Sequence, residues 1–309
     1  WGLSVGSGAV GVDALSAWFG LVIASIGALA AWYGAGYLRH GHDAHRAPAT
    51  WASYNLLIVA MLGVVVARDG FLFLIAWEVM TWASFLLVVF DHTDPGVRRA
   101  GWIYLVAAHI GTACLLVLFA LLAGPGGALD FASFGPVLVP GFAFLLALVG
   151  FGTKAGFLPL HVWLPEAHSA APSHVSALLS GVLLKTGIYG LVRIWTFLPT
   201  PQVSWGVTLV VIGAVSALSG VLWALAQHDL KRLLAWHSVE NLGIIALGLG
   251  MGLLGMALSR PWVAFFGFAG ALVHVLNHAV FKSLLFMGAG AVIRATGTRE
   301  IDLLGGLLQ

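Results

Sequence analysis

Charge is what this sequence lacks. Asp, Glu, Lys and Arg together make up 8% of its 309 residues, against roughly 25% in an ordinary soluble domain. So few charges cannot cover a soluble fold. With 60% of residues hydrophobic and a mean hydropathy of +0.99, the solvent for most of the surface is lipid. A formal net charge of +2 excludes the strongly basic face of a nucleic-acid binder. The single cysteine, Cys114, lies in an apolar run; an intrachain disulfide is impossible and the redox compartment stays unread. No linker or composition shift divides residues 1–309, so one membrane domain is expected. No charged n-region and cleavage site flank a short apolar stretch, which excludes a signal peptide pattern. The chain opens at Trp1 without a methionine and closes at Gln309 just after a loop, and is expected to be an internal piece of a longer protein.

What the sequence has in abundance is long apolar runs. Nine are long enough to cross about 30 Å of hydrocarbon at about 1.5 Å per residue: Val12–Tyr37, Trp51–Ala67, Phe71–Phe90, Gly101–Leu122, Val137–His168, Ser173–Leu198, Trp205–Ala226, Leu230–Leu254 and Trp262–Arg294. Strands of a membrane barrel would alternate polar and apolar residues, and these runs do not, so helix is the expected state. The fold class is an all-α polytopic helical bundle. Turn residues fill the short connections, as in "DHTDPGVRR" and "GPGGALDFASFGP". Arg39, Arg46, Arg98, Arg99, Lys231, Arg232, Arg294 and Arg299 fall on one side of this topology; Arg68 and Arg260, with Arg193 nearby, fall on the other. The positive-inside rule puts the first set in the cytoplasm of a cell whose inner membrane holds the chain.

The fifth run is too long for one straight span and contains "GTKAGFLPLHVWLPEAH", with Pro159 and Pro165 inside it. Each proline removes a backbone donor and disfavours helix just before it. Freed carbonyls are tolerated at membrane depth only inside a bundle or beside water. A broken helix carrying ionisable groups is a known construction for an ion site near the midplane.

Ionisable residues are then the rare and informative ones. Of four lysines, Lys231 sits at a membrane edge, while Lys154, Lys185 and Lys282 lie deep within runs, as do Glu78 and Glu240. Each costs about 2.5–3.5 kcal/mol at a helix centre on insertion scales and is expected to face the bundle interior with a partner. Burial disfavours an ammonium and a neighbouring carboxylate favours it, so a lysine held between the two can release and regain a proton. A static structural ion pair is the plainer alternative. In "HVLNHAVFKS", His274, His278 and Lys282 are spaced i, i+4, i+8 and share one helix face; in "AWHSVEN", His237 and Glu240 do so at i, i+3. Imidazole takes a proton on one nitrogen and gives it up from the other, so a row of them can shuttle protons. The rival for the His-x-x-x-His spacing is a metal site, but no cysteine or carboxylate cluster completes it. His109, alone in its run, reads as a packing histidine.

Other pattern matches fail. "GFGTKAG" lacks the glycine before the lysine and the Ser or Thr after it that a phosphate loop requires. "HVWLPEAH" is not a zinc-protease pattern, because its histidines are seven apart and a proline interrupts them. The many Trp and Phe residues read as interface anchors and core.

The segments "WEVMTWASFLLV", "GTKAGFLPLHVWLPEAHSAAPSHVSALLSGVLLKTGIYGLVR", "DLKRLLAWHSVENLGI" and "HVLNHAVFKSLLFMGAG", followed by "TGTREIDLLGGL", resemble the proton-translocating antiporter-like family. That family includes large membrane subunits of respiratory complex I and of multisubunit sodium/proton antiporters. "HSVEN" and "HVLNHAVFKS" most resemble the ion-pumping subunit of energy-converting hydrogenases of the formate hydrogenlyase type. The resemblance implies about fourteen helices with two inverted five-helix repeats, the first over 51–198 with its broken helix near 152–168, the second beginning over 205–309 and incomplete. It implies that Glu78 is the family's essential glutamate, paired with Lys154 of the broken helix, that Lys185 is a bridging lysine, and that Lys282 is the lysine of the second repeat among His274 and His278. His237 and Glu240 join the relay. His161, His168 and His174 are read either as gating water on the cytoplasmic side or as capping the broken segment. Trp236 stands where a tyrosine is expected, a departure that affects packing. The implied function is proton translocation within a hydrogenase- or dehydrogenase-like complex, with other membrane subunits and a cytoplasmic redox arm as partners; a sodium/proton exchanger subunit is the alternative. This chain is expected to carry no cofactor, no metal and no redox catalysis of its own.

Overall fold

A computed structural model describes residues 9–39 and 46–307. Its helices are α1 (Ala14–Arg39), α2 (Ala47–Val66), α3 (Gly70–Val88), α4 (Pro95–Ala123), α5 (Pro140–Ala155), α6 (Trp163–Ala170), α7 (Ser173–Leu178), α8 (Leu184–Trp195), α9 (Val203–Leu225), α10 (Leu230–Ala257) and α11 (Pro261–Thr296). Eight continuous helical segments are long and apolar enough to span a membrane, α7 and α8 counting as one, and α5 is a shorter apolar helix. The chain is an all-α polytopic membrane protein. Among the described residues there are no strands, only isolated bridges; Val10–Ala67, Asp69–Asp130 and Asp229–Glu300 tie loops together.

The scarce carboxylates largely serve helix starts. Asp69, Asp94 and Asp229 stand at the N-caps of α3, α4 and α10, and their side chains accept from first-turn amides, satisfying donors that a helix leaves free. The Asp94 cap lets α4 begin at Pro95, several residues before the expected Gly101. α11 has 36 residues and is therefore about 54 Å long, more than a straight crossing needs.

The broken segment departs from expectation in one respect. Pro165 does not interrupt a helix; it lies in the first turn of α6, where a missing N–H costs little. The break is the stretch 156–162. Gly156 ends α5 in the left-handed region at φ 81°, and the Gly156 and Phe157 amides fold back onto the Gly152 carbonyl at 2.8 and 3.1 Å. Trp163 Nε1 donates to the Thr153 carbonyl at 2.8 Å, and the Leu158 amide to Ser216 Oγ on α9 at 3.0 Å. The freed backbone groups are thus taken up by protein.

Ser173–Trp195 is the central column: 94% of its membrane window is buried, against 28% for α9 and for α11. Between α7 and α8 it carries a π-helical turn, Leu179–Leu183. Around it α1–α5 pack through large side chains, such as Trp77 edge-on to Phe151 at 5.3 Å. α9 and α10 meet differently, backbone to backbone. A Cβ built on Gly213 would lie 2.7 Å from the Gly243 carbonyl and from the Leu247 amide nitrogen, the close approach that small residues permit in membranes.

Arg193 is anchored at the far end of the column. It grips Asp13 with Nη1 and Nη2 at 2.6 and 2.8 Å, and Arg68 reaches the same carboxylate at 3.3 Å. The opposite side is closed by Arg46 with Asp91, Arg232 with Glu166, and Arg299 with Asp229. Lys231, expected at a membrane edge, is buried and donates to the Ala171 carbonyl, because α10 starts against the turn between α6 and α7. The side chain of Arg39 lies outside the described residues.

Two outcomes follow. Gly213→Val is expected to wedge α9 from α10 and abolish a monodisperse folded protein in detergent, whereas Gly270→Ala, with nothing within 4 Å, leaves the elution profile unchanged. Burial alone would raise the Asp13 carboxyl, but hydrogen bonds from Arg193 and the Ser16 amide, with the charges of Arg193 and Arg68, hold it well below the usual carboxylate range. Since folding depresses this group, its stabilisation is complete above the unfolded-chain value and is lost as pH falls below it. Asp13→Asn is therefore expected to lower the thermal midpoint at pH 7, and the gap to wild type to close as pH drops below about 4.

Candidate functional site

Of the ionisable residues picked out in the sequence, Glu78, Lys154, Lys185, His237, Glu240, His274, His278 and Lys282 fall at three centres, the second and third joined through His278. The first is built on α3. Glu78 and Thr81 share a face at i, i+3, but they serve different partners. Thr112 Oγ1 on α4 donates to Glu78 Oε1 at 2.6 Å, and His109 Nε2 lies 3.4 Å from Oε2. His109 Nδ1 is 2.8 Å from the Leu105 carbonyl, which can only accept, so Nδ1 carries a hydrogen. A neutral ring then turns the lone pair of Nε2 toward the carboxyl group. The contact is attractive when one proton is shared, on the ring or on Glu78.

Lys154 enters from the last turn of α5, where a cation suits the negative helix end. It is buried and donates to Thr81 Oγ1 at 2.9 Å and to the Tyr104 hydroxyl at 3.1 Å. Its Nζ also lies 5.5 and 5.2 Å from the ring centroids of Trp77 and Tyr104. Tyr104 OH continues to Ser84 Oγ at 2.5 Å. The sequence reading pairs Glu78 with Lys154. In this structure the two interact through space but form no ion pair within 4.0 Å, because Glu78 is turned to α4 while Lys154 is met by hydroxyls.

The second centre lies at the π turn. A π turn leaves backbone carbonyls outside the regular ladder, and Lys185 Nζ takes the one at Ser180, at 2.5 Å. On its other side Nζ is 2.7 Å from His278 Nδ1. A charged lysine donates to this nitrogen; an uncharged one accepts from it. Either way one hydrogen lies between them. Ser180 Oγ meets Ser238 Oγ on α10 at 2.8 Å. Lys282 is buried one helical turn beyond His278 and is within electrostatic reach of Lys185 and Glu240.

The third centre joins α10 and α11. His274 and His278 stack with centroids 6.3 Å apart and planes at 7°, as their i, i+4 spacing requires. His274 Nε2 is 3.0 Å from Asn241 Oδ1, and Asn241 Nδ2 donates to the His237 carbonyl at 2.7 Å. His237 Nδ1 contacts Glu240 Oε2. Each histidine of the i, i+4 pair thus has a different partner, Asn241 or Lys185. Among the described residues no three His, Cys, Asp or Glu side chains are placed to hold a metal ion.

His161, His168 and His174 make no hydrogen bond to these centres, although His168 is within electrostatic reach of Lys185, Lys282 and His278. His161 packs against Trp236 with centroids 5.1 Å apart and rings tilted by 55°, and Trp236 stacks in turn on Trp223, which is the packing role of this tryptophan. His168 lies on Phe286 at 5.2 Å, and His174 sits among Tyr37, Trp51 and Tyr54. His168 and His174 are buried with no protein partner at any of their four ring nitrogens. Sequence reasoning read His109 as a packing histidine, where the structure sets it against Glu78, and passed over Tyr104, Thr112, Thr81 and Asn241. The spacing of His109 and Thr112, i and i+3 within an otherwise apolar run, was the available signal.

A helical membrane bundle with a buried band of lysine, histidine and glutamate is the class these features define. Residues 67–309 match the family described as NADH:quinone oxidoreductase/Mrp antiporter, TM, and the chain belongs to that family. It is 43% identical over 308 residues to Hydrogenase-4 component B of Escherichia coli (strain K12), an alignment covering 96% of this chain and 45% of that protein. It is 35% identical over 312 residues to the putative antiporter subunit mnhA2 of Staphylococcus epidermidis (strain ATCC 12228 / FDA PCI 1200), covering 96% of this chain and 38% of that protein. A chain in the structure of the membrane-bound sulfane sulfur reductase, an archaeal respiratory membrane complex, superposes with a TM-score of 0.82 at 28% identity, over 100% of this chain and 50% of that one. The chain spans about half the length, or less, of the relatives it matches.

Tyr104→Phe isolates one element of this geometry. It removes the hydroxyl between Lys154 and Ser84 while keeping the ring, so the expected loss of folding stability is about 1–3 kcal/mol, that of an unsatisfied buried polar group, measured as a lower thermal midpoint. An unchanged midpoint would mean that Lys154 does not depend on this hydroxyl.

Proposed function

We propose that the chain is a proton-translocating membrane subunit of a redox-driven complex, relaying protons along Glu78, Lys154, Lys185, His278, His274 and Lys282, with His237 and Glu240 at the far end. The observation that carries the reading is the Lys185–His278 contact, 2.7 Å long and sealed in the interior. It places one exchangeable hydrogen between two groups that can each hold it. His109 is added to the relay on its contact with Glu78. Residues 51–198 and the stretch from 205 onward are read as one inverted repeat and the start of a second, and the side bearing Arg46, Arg232 and Arg299 as cytoplasmic.

Moving one proton against 100 mV takes about 2.3 kcal/mol. That energy comes from partner subunits, among them a cytoplasmic redox arm, since the sequence carries no redox motif. The 43% identity to a hydrogenase component against 35% to an antiporter subunit favours this coupling over a gradient-driven sodium/proton exchanger. The chemistry of the band points the same way. Hard cations prefer oxygen ligands, and the centre offers ammonium and imidazole groups instead.

The test uses the complete complex in sealed vesicles, following internal pH during electron-donor turnover, with and without sodium. Proton movement is expected in wild type, sodium-independent, and lost in Lys154→Ala; His109→Ala is expected to slow it severalfold. Undiminished proton movement in Lys154→Ala would refute the relay. Transport that needs sodium but no electron donor would replace redox coupling with exchange.

A further inference from the structure

On the side closed by Arg232 and Arg299, a cavity of about 360 Å³ opens where α1, α3 and α11 end and α7 begins. Lys231, Arg294 and Arg299 all line it. Their charges are not equally spent. Arg299 is neutralised by Asp229 at 2.7 Å. Asp91, the one carboxylate lining the cavity among the described residues, is held by Arg46 at 3.1 Å. Thr93 and Arg46 hydrogen-bond its carboxyl and hold it below the usual range, so it stays charged and committed to them.

Lys231 and Arg294 are less fully paired: Asp229, the carboxylate that acts on Lys231 through space, is already in contact with Arg299. Among the described residues neither has a carboxylate within 4.0 Å. Lys231 is buried, and its one hydrogen bond is to the Ala171 carbonyl, while an ammonium has three donors. Arg294 uses Nη1 on the Gly36 and Tyr37 carbonyls at 3.3 and 3.2 Å. Ser173, fully buried, also lines the cavity, and its hydroxyl has no partner. Unspent cationic donors and an unspent hydroxyl around one cavity call for an anion rich in acceptor oxygens.

The rest of the wall says which anion. Tyr37, Leu38, Phe90 and Ile293 line the same cavity and come from the ends of three spanning helices. A soluble anion gains nothing from such a surface. A phospholipid whose phosphate meets Lys231 and Arg294 can run its glycerol and acyl carbons along it, at the depth where basic pockets between helices recruit anionic headgroups. We infer that this cavity is a binding site for the phosphate headgroup of an anionic membrane phospholipid. The site lies outside the proposed relay and does not depend on it.

The experiment takes the complete complex, delipidated in detergent, and adds phosphatidylglycerol, phosphatidylcholine or inorganic phosphate. Bound lipid is counted by native mass spectrometry and the thermal midpoint is recorded alongside. Phosphatidylglycerol is expected to be retained and to raise the midpoint. Arg294→Gln and Lys231→Gln are each expected to weaken retention about fivefold, as suits one cation near an anionic headgroup. Arg294 is exposed, so its variant remains informative should the buried Lys231→Gln fail to fold. Equal stabilisation by inorganic phosphate would overturn the lipid assignment in favour of a soluble anion. Retention indifferent to Arg294→Gln, or equal for phosphatidylcholine, would overturn the site.

Discussion

An ammonium group in a low-dielectric interior has to be met by dipoles or charges, and much of this architecture follows from meeting two of them. Lys154 is met by two hydroxyls and two ring faces. Lys185 is met by a carbonyl and an imidazole. The helix irregularities are part of the same solution. The end of α5 at Gly156 places Lys154 in a last turn, and the π turn puts the Ser180 carbonyl within reach of Lys185. A regular helix through the π turn would keep the Ser180 carbonyl for its own amides, and Lys185 would lose that acceptor.

Holding those acceptors in place requires a stiff frame, and the chain builds it by two kinds of packing. Around Ser173–Trp195, aromatic side chains interlock and leave the column almost wholly enclosed. Between α9 and α10, glycines bring backbones into contact, which fixes the position of Ser238 and Asn241 to within a backbone's tolerance. The polar band lies between the two. Its ends are less sealed than its middle: the side chains of Glu78 and Glu240 are 30% and 24% exposed, whereas Lys185 and His278 are buried.

How much of this could be read in the sequence divides along a physical line. Runs of apolar residues longer than a bilayer is thick specify spanning helices almost alone, so the nine runs and a break within 152–168 were legible. Intrahelical spacing was legible for the same reason: His274 with His278, and His237 with Glu240, meet as i, i+4 and i, i+3 geometry dictates. Contacts between helices were not. Glu78 turns to Thr112 and His109 rather than to Lys154, and this depends on the rotation of α4 against α3, which no local pattern encodes. Lys231 misled for a related reason. Its position beside Arg232 at a helix start suggests water, but the α6–α7 turn packs over it. Pro165 could start a helix or break one, and only the placement of Gly156 decides.

The arrangement of charge also bears on whether the buried ionisable groups are a lock or a relay, because the molecule contains a plain lock for comparison. Asp13 and Arg193 face each other through two parallel hydrogen bonds, with Arg68 in support. Opposite charges touch, geometry is bidentate, and displacing a proton would break the contact. The interior band is built otherwise. Lys154, Lys185 and Lys282 form no ion pair within 4.0 Å with any carboxylate among the described residues, although Glu78 and Glu240 are near enough to act through space. The partners in contact with Lys154 and Lys185 are hydroxyls, a carbonyl and an imidazole. Hydroxyl and imidazole can donate as well as accept, so a change of protonation on either lysine can be accommodated by turning a hydrogen rather than by moving a chain. A structural ion pair in the same positions would have brought the carboxylates into contact, as the Asp13 clamp does. A static salt bridge does not explain that separation, and the proposed relay accommodates it.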